Sequence, residues 1–139
     1  YLNKVSGPLL DRIDLHVEVT PVAFSELSTK QVQEPSASIR DRVIKAREIQ
    51  AERYKDKPGL YSNAQISSKM LREVCAISPA GSNLLKKAME KLNLSARAYD
   101  RILKVARTIA DLSASNEIKI EHLAEAIQYR SLDREGWAG

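Results

Sequence analysis

The sequence has little sulfur and no cluster of metal-binding side chains. Cys75 is the single cysteine among 139 residues, so no internal disulfide can form, and a reducing compartment is expected. His16 and His122 are far apart, and with one cysteine they give no ligand set at usable spacing, because metal sites normally need three or four ligands. We therefore predict structural or surface roles for the two histidines and burial of Cys75 as a small apolar side chain.

Long apolar segments are absent too. No stretch approaches the length of a membrane-spanning helix, and the start has no charged-then-apolar signal segment. The first residue is Tyr1 rather than methionine, and it enters what reads as the middle of an element. We therefore expect a piece of a longer protein with no membrane partner and a cytoplasmic location.

What is present is the composition of one globular domain. Hydrophobic residues make up 43% of the chain and charged residues 29%, with a net charge of +4 and a pI of about 9.2. This mild basic excess permits a nucleic-acid or phosphate partner without requiring one, because solvated basic surfaces are common. The arginine-rich run 39–53 is accordingly interpreted as a solvated helix, with DNA contact as the alternative.

An alternating segment near the start predicts a strand. Apolar and polar residues alternate over 13–20, which is the period of a half-buried strand, and Pro21 ends it because proline cannot donate to a ladder. Pro8 suits the start of a short helix, so Arg12 lies where that helix ends and the strand begins. A single strand is not a sheet, so its partners are expected in missing sequence or in another chain.

Helical periodicity replaces alternation after a polar linker at 21–37. Five helices are predicted, two of them from N-cap serines, over about 38–54, 66–74, 79–92, 95–112 and 120–127. The last helix is entered through an extended stretch at 118–120, and the tail 131–139 is expected to be loosely ordered. The predicted fold class is therefore mainly α, a helical bundle preceded by the last strand of something else.

The fourth predicted helix carries a charged stripe opposite its apolar face. Arg97, Arg101, Lys104 and Thr108 are spaced four, three and four residues apart, and Tyr99 belongs to the apolar stripe that we predict to be core. The charged stripe is either a solvated face or a receptor for an anion. The second interpretation rests on Arg97 in the first turn, near free N–H groups, and on the planar arginine fork, which suits phosphate.

Three stretches together resemble one family: SGPLLDRIDLHVEV, LNLSARAYDRILKVARTIADL and IKIEHLAEAIQYRSLDR. They are similar to the carboxy-terminal part of the magnesium-chelatase-related AAA+ ATPases, the YifB or ComM family, and SIRDRVIKAREIQAERY between them shares the likeness. LLDRID alone is less specific, since MCM helicases and the magnesium-chelatase ATPase subunit have a similar run. The resemblance implies that 1–36 are the end of the ATPase core (short helix, arginine-finger turn and last strand) with a linker, and that 37–139 are a helical lid domain.

The resemblance also implies roles for arginines. Arg12 in LLDRID matches the arginine finger, which reaches into the nucleotide site of the neighbouring subunit. Arg97 in SARAYDR matches the sensor-2 arginine at the γ-phosphate, with Arg101 as the second choice. Phosphoryl transfer requires positive charge at the equatorial oxygens, which arginines supply. Without the resemblance, an exposed ion pair of Arg12 with Asp11 or Asp14 is the alternative.

The chain departs from the family in extent. It contains no G-x-x-x-x-G-K-[ST] loop and no strand-borne acidic pair for magnesium. The fragment alone is therefore expected neither to bind ATP tightly nor to hydrolyse it, and no bound cofactor is expected on it. The full-length protein is expected to be an ATPase that binds ATP and Mg²⁺ as a homo-oligomeric ring, a hexamer by the family's pattern.

Three functions remain open at this stage. The family implies a DNA-processing motor that drives branch migration in natural competence, and this is the preferred interpretation. The first alternative is the ATPase subunit of a magnesium-chelatase-type metal-insertion complex. The second is a non-enzymatic helical module that binds nucleic acid through its basic helices without ATP.

Overall fold

The computed structural model describes residues 4–30 and 32–130. The chain there is mainly helical, as predicted, with a 3₁₀ turn at Asn63–Gln65 between the third and fourth helices. The helices are α1 (Gly7–Arg12), α2 (Phe24–Ser28), α3 (Ser36–Arg53), α4 (Ser68–Val74), α5 (Pro79–Lys91), α6 (Ala96–Leu112) and α7 (Ile120–Gln128). Within those residues no helix has the length and apolar character needed to cross a membrane.

Helix α6 is the centre of the bundle. Its residues Ala98, Ile102, Ala106 and Ala110 recur every four positions and are fully buried. Helices α1, α3, α4 and α7 pack against α6, while α5 packs on α7. Three alanines in this stripe let the neighbouring helices approach closely. The buried apolar cluster around it consists of Tyr54, Ile66, Leu71, Cys75, Leu85, Ile102, Leu103, Ala106, Ala110, Ile118, Leu123 and Ala126.

The five helices predicted from periodicity correspond to α3–α7, and their ends agree within two residues. The burial of Cys75 is confirmed, and the extended entry to α7 includes a parallel bridge between Ile77 and Ile118. The prediction that Tyr99 is core is wrong, since its side chain is 39% exposed. The buried stripe begins one residue earlier, at Ala98, and turns Tyr99 toward solvent.

The predicted strand over 13–20 does not form in the structure, where these residues are irregular. Its expected inward face is also exposed, with Val17 at 64% and Val19 at 88%, whereas His16 on the opposite side is buried. The physical reason is that a strand needs a ladder partner, and within 4–30 and 32–130 no strand is present to supply one. On the other side of the segment only His16 is buried, whereas Asp14, Glu18 and Thr20 are exposed.

The remaining predictions about chain organisation are confirmed only in part or are not tested by the described residues. The polar linker predicted at 21–37 contains the short exposed helix α2, which has no side-chain cap. The predictions for Tyr1 and for the tail 131–139 concern residues outside the described ones. The division into 1–36 and 37–139 stays a prediction.

Candidate functional site

Arg12 is the last residue of α1, and the neighbouring sequence explains why this helix is short. The Ser6 hydroxyl accepts a hydrogen bond from the Leu9 N–H at 3.3 Å, which caps the start, and Pro8 occupies the first turn. The backbone becomes extended at Ile13, which ends the helix. These signals leave Arg12 at the end of the short helix, as predicted, although the strand predicted to follow does not form.

The Arg12 side chain is exposed, and it makes no hydrogen bond or ion pair with any residue that the structure describes. An ion pair with Asp11 or Asp14 was the alternative to a functional role, and neither is formed. Asp14 accepts a hydrogen bond from Arg101 Nη1 at 2.9 Å instead. The exposed Arg12 guanidinium is therefore unengaged by the part of the chain that the structure describes.

The backbone at the end of α1 and just after it is held by the side chains of Arg130 and His16 and by the backbone of Tyr129 at the end of α7. Arg130, which is fully buried just beyond α7, donates to the carbonyl oxygens of Ile13 and, at 3.1 Å, of Leu10. His16 Nε2 lies 3.1 Å from the same Leu10 oxygen. The His16 N–H donates to the Tyr129 carbonyl at 2.8 Å. The turn after α1 is thus fixed to the end of α7.

Sequence reasoning missed this arrangement. It gave His16 a structural or surface role without a partner, and it named Arg130 only as part of the family-like string IQYRSLDR. The acceptors of Arg130 lie 117 and 120 residues away along the chain. Because an arginine after an amphipathic helix is usually solvated, no local pattern distinguishes this buried one.

Arg97 and Arg101 lie one turn apart near the start of α6, and their surroundings differ. The Ser95 hydroxyl caps this helix by accepting the Ala98 N–H at 3.2 Å. Arg97 is exposed and has no hydrogen-bond or ion-pair partner among the described residues. Arg101 is 32% exposed and is paired with Asp14. Of the two candidates for a phosphate contact, Arg97 is the one whose guanidinium no described residue engages.

The rest of the charged stripe is partly covered rather than solvated. Lys104 Nζ lies 3.4 Å from the Ala64 carbonyl oxygen, and the Thr108 hydroxyl accepts from Asn63 Nδ2 at 3.0 Å. The 3₁₀ turn therefore packs on this face of α6. The structure brings Arg101 to the segment that carries Arg12, whereas Lys104 and Thr108 face another element.

A buried ion-pair network joins α3 to α6. Asp111, whose carboxylate is fully buried, accepts from the two Nη atoms of Arg53 at 2.8 and 2.6 Å and from Asn63 Nδ2 at 2.9 Å. Arg107 Nη2 lies 3.3 Å from the same carboxylate. The hydrogen bonds to Asp111 raise the pKa of Arg53 above its ordinary value. Both carboxylate oxygens are satisfied internally, so we assign this network to the fold.

An apolar groove lies between α3, α6 and the segment after α1. It has a volume of about 610 Å³ and its walls include Leu15, Val43 and Ile109. Arg12 and Arg97 do not line it. Across residues 4–30 and 32–130, no group of three or more histidine, cysteine or acidic side chains could hold a metal ion.

Known proteins match this chain over nearly all of its length. The family described as magnesium chelatase, subunit ChlI C-terminal, matches residues 33–130, and the one described as magnesium chelatase, subunit ChlI, matches residues 1–27. Competence protein ComM of Haemophilus influenzae is 46% identical over 135 residues, which are 96% of this chain and 26% of that protein. YifB of Escherichia coli strain K12 is 41% identical over 136 residues, with the same two shares. This chain thus spans about a quarter of the length of these curated relatives.

Proposed function

The chain belongs to the magnesium-chelatase ChlI family, and on that premise we propose that it is the helical lid and arginine-finger turn of a ring-forming AAA+ ATPase. Arg12 lies in the segment matched over 1–27, and Arg97 lies in the segment matched over 33–130. The full-length protein binds ATP and Mg²⁺ and hydrolyses ATP. This chain has no phosphate-binding loop, so its contribution is arginine charge rather than the nucleotide pocket.

The observation that carries the proposal is the state of Arg12. Its guanidinium is exposed and unengaged by the described residues, while the backbone around it is held by Arg130. An arginine finger that acts on a neighbouring subunit needs a fixed backbone and a guanidinium that is available to the neighbour's nucleotide. Such an arginine contributes roughly 10³–10⁵-fold to the rate of phosphoryl transfer when it is supplied in trans.

Arg97 is the proposed sensor-2 residue, which contacts the γ-phosphate from the lid. It lies in the first turn of α6, where helical N–H groups also favour an anion, and no residue within 4–30 and 32–130 engages its guanidinium. Arg101 remains the second choice, because its ion pair with Asp14 must open before it can reach a phosphate.

The test is Arg12→Ala in the full-length protein. We expect kcat for ATP hydrolysis to fall by roughly 10³-fold or more while the Kd for ATP changes by only a few-fold, since the finger acts on the neighbour's nucleotide. Arg72→Ala, which removes an exposed arginine from α4, is the matched control and should leave kcat unchanged. Mixing Arg12→Ala subunits with subunits whose phosphate-binding loop is inactivated should restore part of the activity. If mixing restores none, Arg12 does not act in trans and the proposal fails.

For the substrate, we propose DNA processing in competence, in a cytoplasmic hexameric ring. The support is the name of the relative ComM, a competence protein that is 46% identical to this chain.

Branched DNA should raise the ATPase rate of the full-length protein. Absence of stimulation would favour the metal-insertion alternative that the family description suggests. DNA binding by this chain alone, with a steep salt dependence, would favour the module that binds nucleic acid without ATP.

A further inference from the structure

We propose that Arg130 is a positioning residue for Arg12 and couples the end of the helical bundle to the arginine finger. This inference rests on the proposed function of Arg12. Arg130 donates to the carbonyl oxygens of Leu10 and Ile13, which are two residues before and one residue after Arg12. Arg130 therefore holds the main chain by hydrogen bonds on both sides of Arg12, whose side chain is proposed to reach the nucleotide.

The two contacts fix the backbone torsions of the turn. The Leu10 carbonyl also accepts the Ile13 N–H at 3.2 Å and lies 3.1 Å from His16 Nε2, so three groups converge on one oxygen. Rotation of the main chain at Arg12 would have to break the bonds at Leu10 and Ile13 together. A fixed main chain leaves only side-chain rotamers to be ordered when the finger meets a phosphate, which lowers the entropy cost of reaching the transition state.

The burial of Arg130 argues against a purely stabilising role. Its side chain is fully buried, and a buried charge is a poor source of stability compared with an apolar residue of similar volume. What a guanidinium adds is direction, because its planar fork donates to two acceptors in a defined geometry. Both carbonyl acceptors that Arg130 has among the described residues belong to the turn that carries Arg12.

A second tie links the same segment to the lid. Asp14 is paired with Arg101 at 2.9 Å, and Arg101 lies one turn after Arg97 on α6. The turn that holds Arg12 is thus tied to α6 through Arg101 and to the end of α7 through Arg130. A shift of these helices in response to nucleotide would move the finger with them.

The test compares Arg130→Lys with Arg107→Lys in the full-length protein. Arg107 is the matched control because it is also buried, at 5% exposure, and donates to two backbone carbonyls, those of Ser115 at 2.8 Å and Asn116 at 3.1 Å, away from α1. Lysine keeps the charge but cannot reach both carbonyls in the fork geometry. We expect Arg130→Lys to lower kcat by roughly 10–100-fold, the scale for a catalytic group displaced by about 1 Å, with the Kd for ATP unchanged.

A double-variant comparison separates positioning from structure. If Arg130 acts through Arg12, Arg130→Lys should reduce kcat little further once Arg12→Ala is present. The inference is overturned if Arg130→Lys lowers kcat by the same factor in the unsubstituted protein and in Arg12→Ala. It is also overturned if Arg107→Lys lowers kcat as much as Arg130→Lys does when the two variants have equal thermal stability. An unchanged kcat in Arg130→Lys with a collapsed kcat in Arg12→Ala would also overturn it and leave the proposed function standing. Full activity of Arg12→Ala would instead overturn the proposed function itself.

A second variant keeps the test decisive if Arg130→Lys does not fold. Arg130→Gln places no charge in the buried site, and its amide lacks the fork that serves both carbonyls. We expect kcat to fall by roughly 10–100-fold, a loss that again disappears when Arg12 is replaced by alanine. A kcat equal to that of the unsubstituted protein would contradict the proposed role of Arg130.

Discussion

Two residues adopt a left-handed backbone at the ends of helices, although neither is glycine. Asn93 has a φ of 50° after α5, and Ala114 has a φ of 53° after α6. At α6 the Ser115 N–H donates to the Ala110 carbonyl at 2.8 Å, and the Ala114 N–H donates to that of Asp111 at 3.0 Å. This is the Schellman arrangement, in which glycine is the preferred residue at the left-handed position.

We predict that Ala114→Gly stabilises the chain by about 1 kcal/mol, because the β-carbon of alanine is strained in this conformation. Asn93→Gly is the control and should change the free energy of unfolding by a few tenths of a kcal/mol, since asparagine tolerates the left-handed region. Urea unfolding of the three proteins measures both values. Equal changes for the two substitutions would mean that strain at Ala114 is not what glycine relieves.

The buried thiol of Cys75 leads to a prediction about how stability depends on pH. Burial raises the pKa of Cys75 from 9.0 to about 11. The folded chain therefore keeps the thiol proton at pH values where the unfolded chain loses it. The free energy of unfolding consequently falls as pH rises from about 9 to about 11, by about 2–3 kcal/mol in all from this group.

The measurement is urea unfolding at several pH values between 8 and 11, with Cys75→Ala as the control. The difference in stability between the two proteins should shrink or invert as pH rises, because the variant lacks this titration. A difference that stays constant with pH would contradict the raised pKa.

At the scale of elements, helices with local start signals and periodicity could be predicted, and those that depend on distant contacts could not. Ser78, Ser95 and the apolar stripes lie within or beside α5 and α6, so sequence was enough for their bounds. The segment 13–20 has a strand pattern, yet its conformation depends on a ladder that these residues cannot supply themselves. Here its first residues are held by distant partners, Arg130 at Ile13, Arg101 at Asp14 and Tyr129 at His16, which no periodicity encodes.

Helix α5 approaches α7 closely at Gly81. A β-carbon at this position would lie 2.8 Å from Leu123 Cδ1, and Leu123 is fully buried. Alanine gains about 1 kcal/mol of helix propensity over glycine, but overpacking costs about 1–3 kcal/mol. We predict that Gly81→Ala destabilises the chain by about 1 kcal/mol, whereas Ser82→Ala on the exposed side of α5 is neutral or slightly stabilising. Thermal unfolding checks both, and a stabilised Gly81→Ala would mean that Leu123 repacks without cost.

The network at Asp111 determines how α3 sits on α6. Asp111→Asn removes the charge that balances Arg53 in a buried site, and breaking a buried pair in this way costs about 3–5 kcal/mol. Glu52→Gln is the control, because it breaks the exposed pair with Lys55, which is worth about 1 kcal/mol or less. Urea unfolding should separate the two variants clearly. Equal, small losses would show that the buried pair contributes no more than a surface one.

At the scale of the whole molecule, likeness to a family was enough to pick out the three candidate arginines in the sequence. The contacts around them could not be predicted, because they join residues far apart in the chain. The pairing of Arg101 with Asp14 joins residues 87 apart, and the grip of Arg130 joins residues 117 apart. The first of these contacts engages Arg101, whereas Arg97 has no hydrogen-bond or ion-pair partner within 4–30 and 32–130. Charge spacing on one helix could not make that distinction.

The exposed apolar side chains after His16 lead to a prediction about the full-length protein. Val17, Val19 and Phe24 are 64%, 88% and 84% exposed in a chain that spans about a quarter of its relatives. Burying such side chains is favourable, so we predict that sequence outside this chain pairs with residues 17–20 and converts them into the strand that their alternation indicates.

Hydrogen exchange tests this pairing by comparing this chain with the full-length protein. The amides of residues 17–20 should exchange roughly 10²-fold more slowly in the full-length protein, because ladder hydrogen bonds open only with the sheet. The His16 amide is an internal control, since it already donates to the Tyr129 carbonyl at 2.8 Å and should be protected in both. Rapid exchange at 17–20 in both proteins, with His16 protected, would mean that the alternation does not encode a strand. In that case, any contact of residues 17–20 with the rest of the full-length protein would be made by their side chains and not by backbone hydrogen bonds.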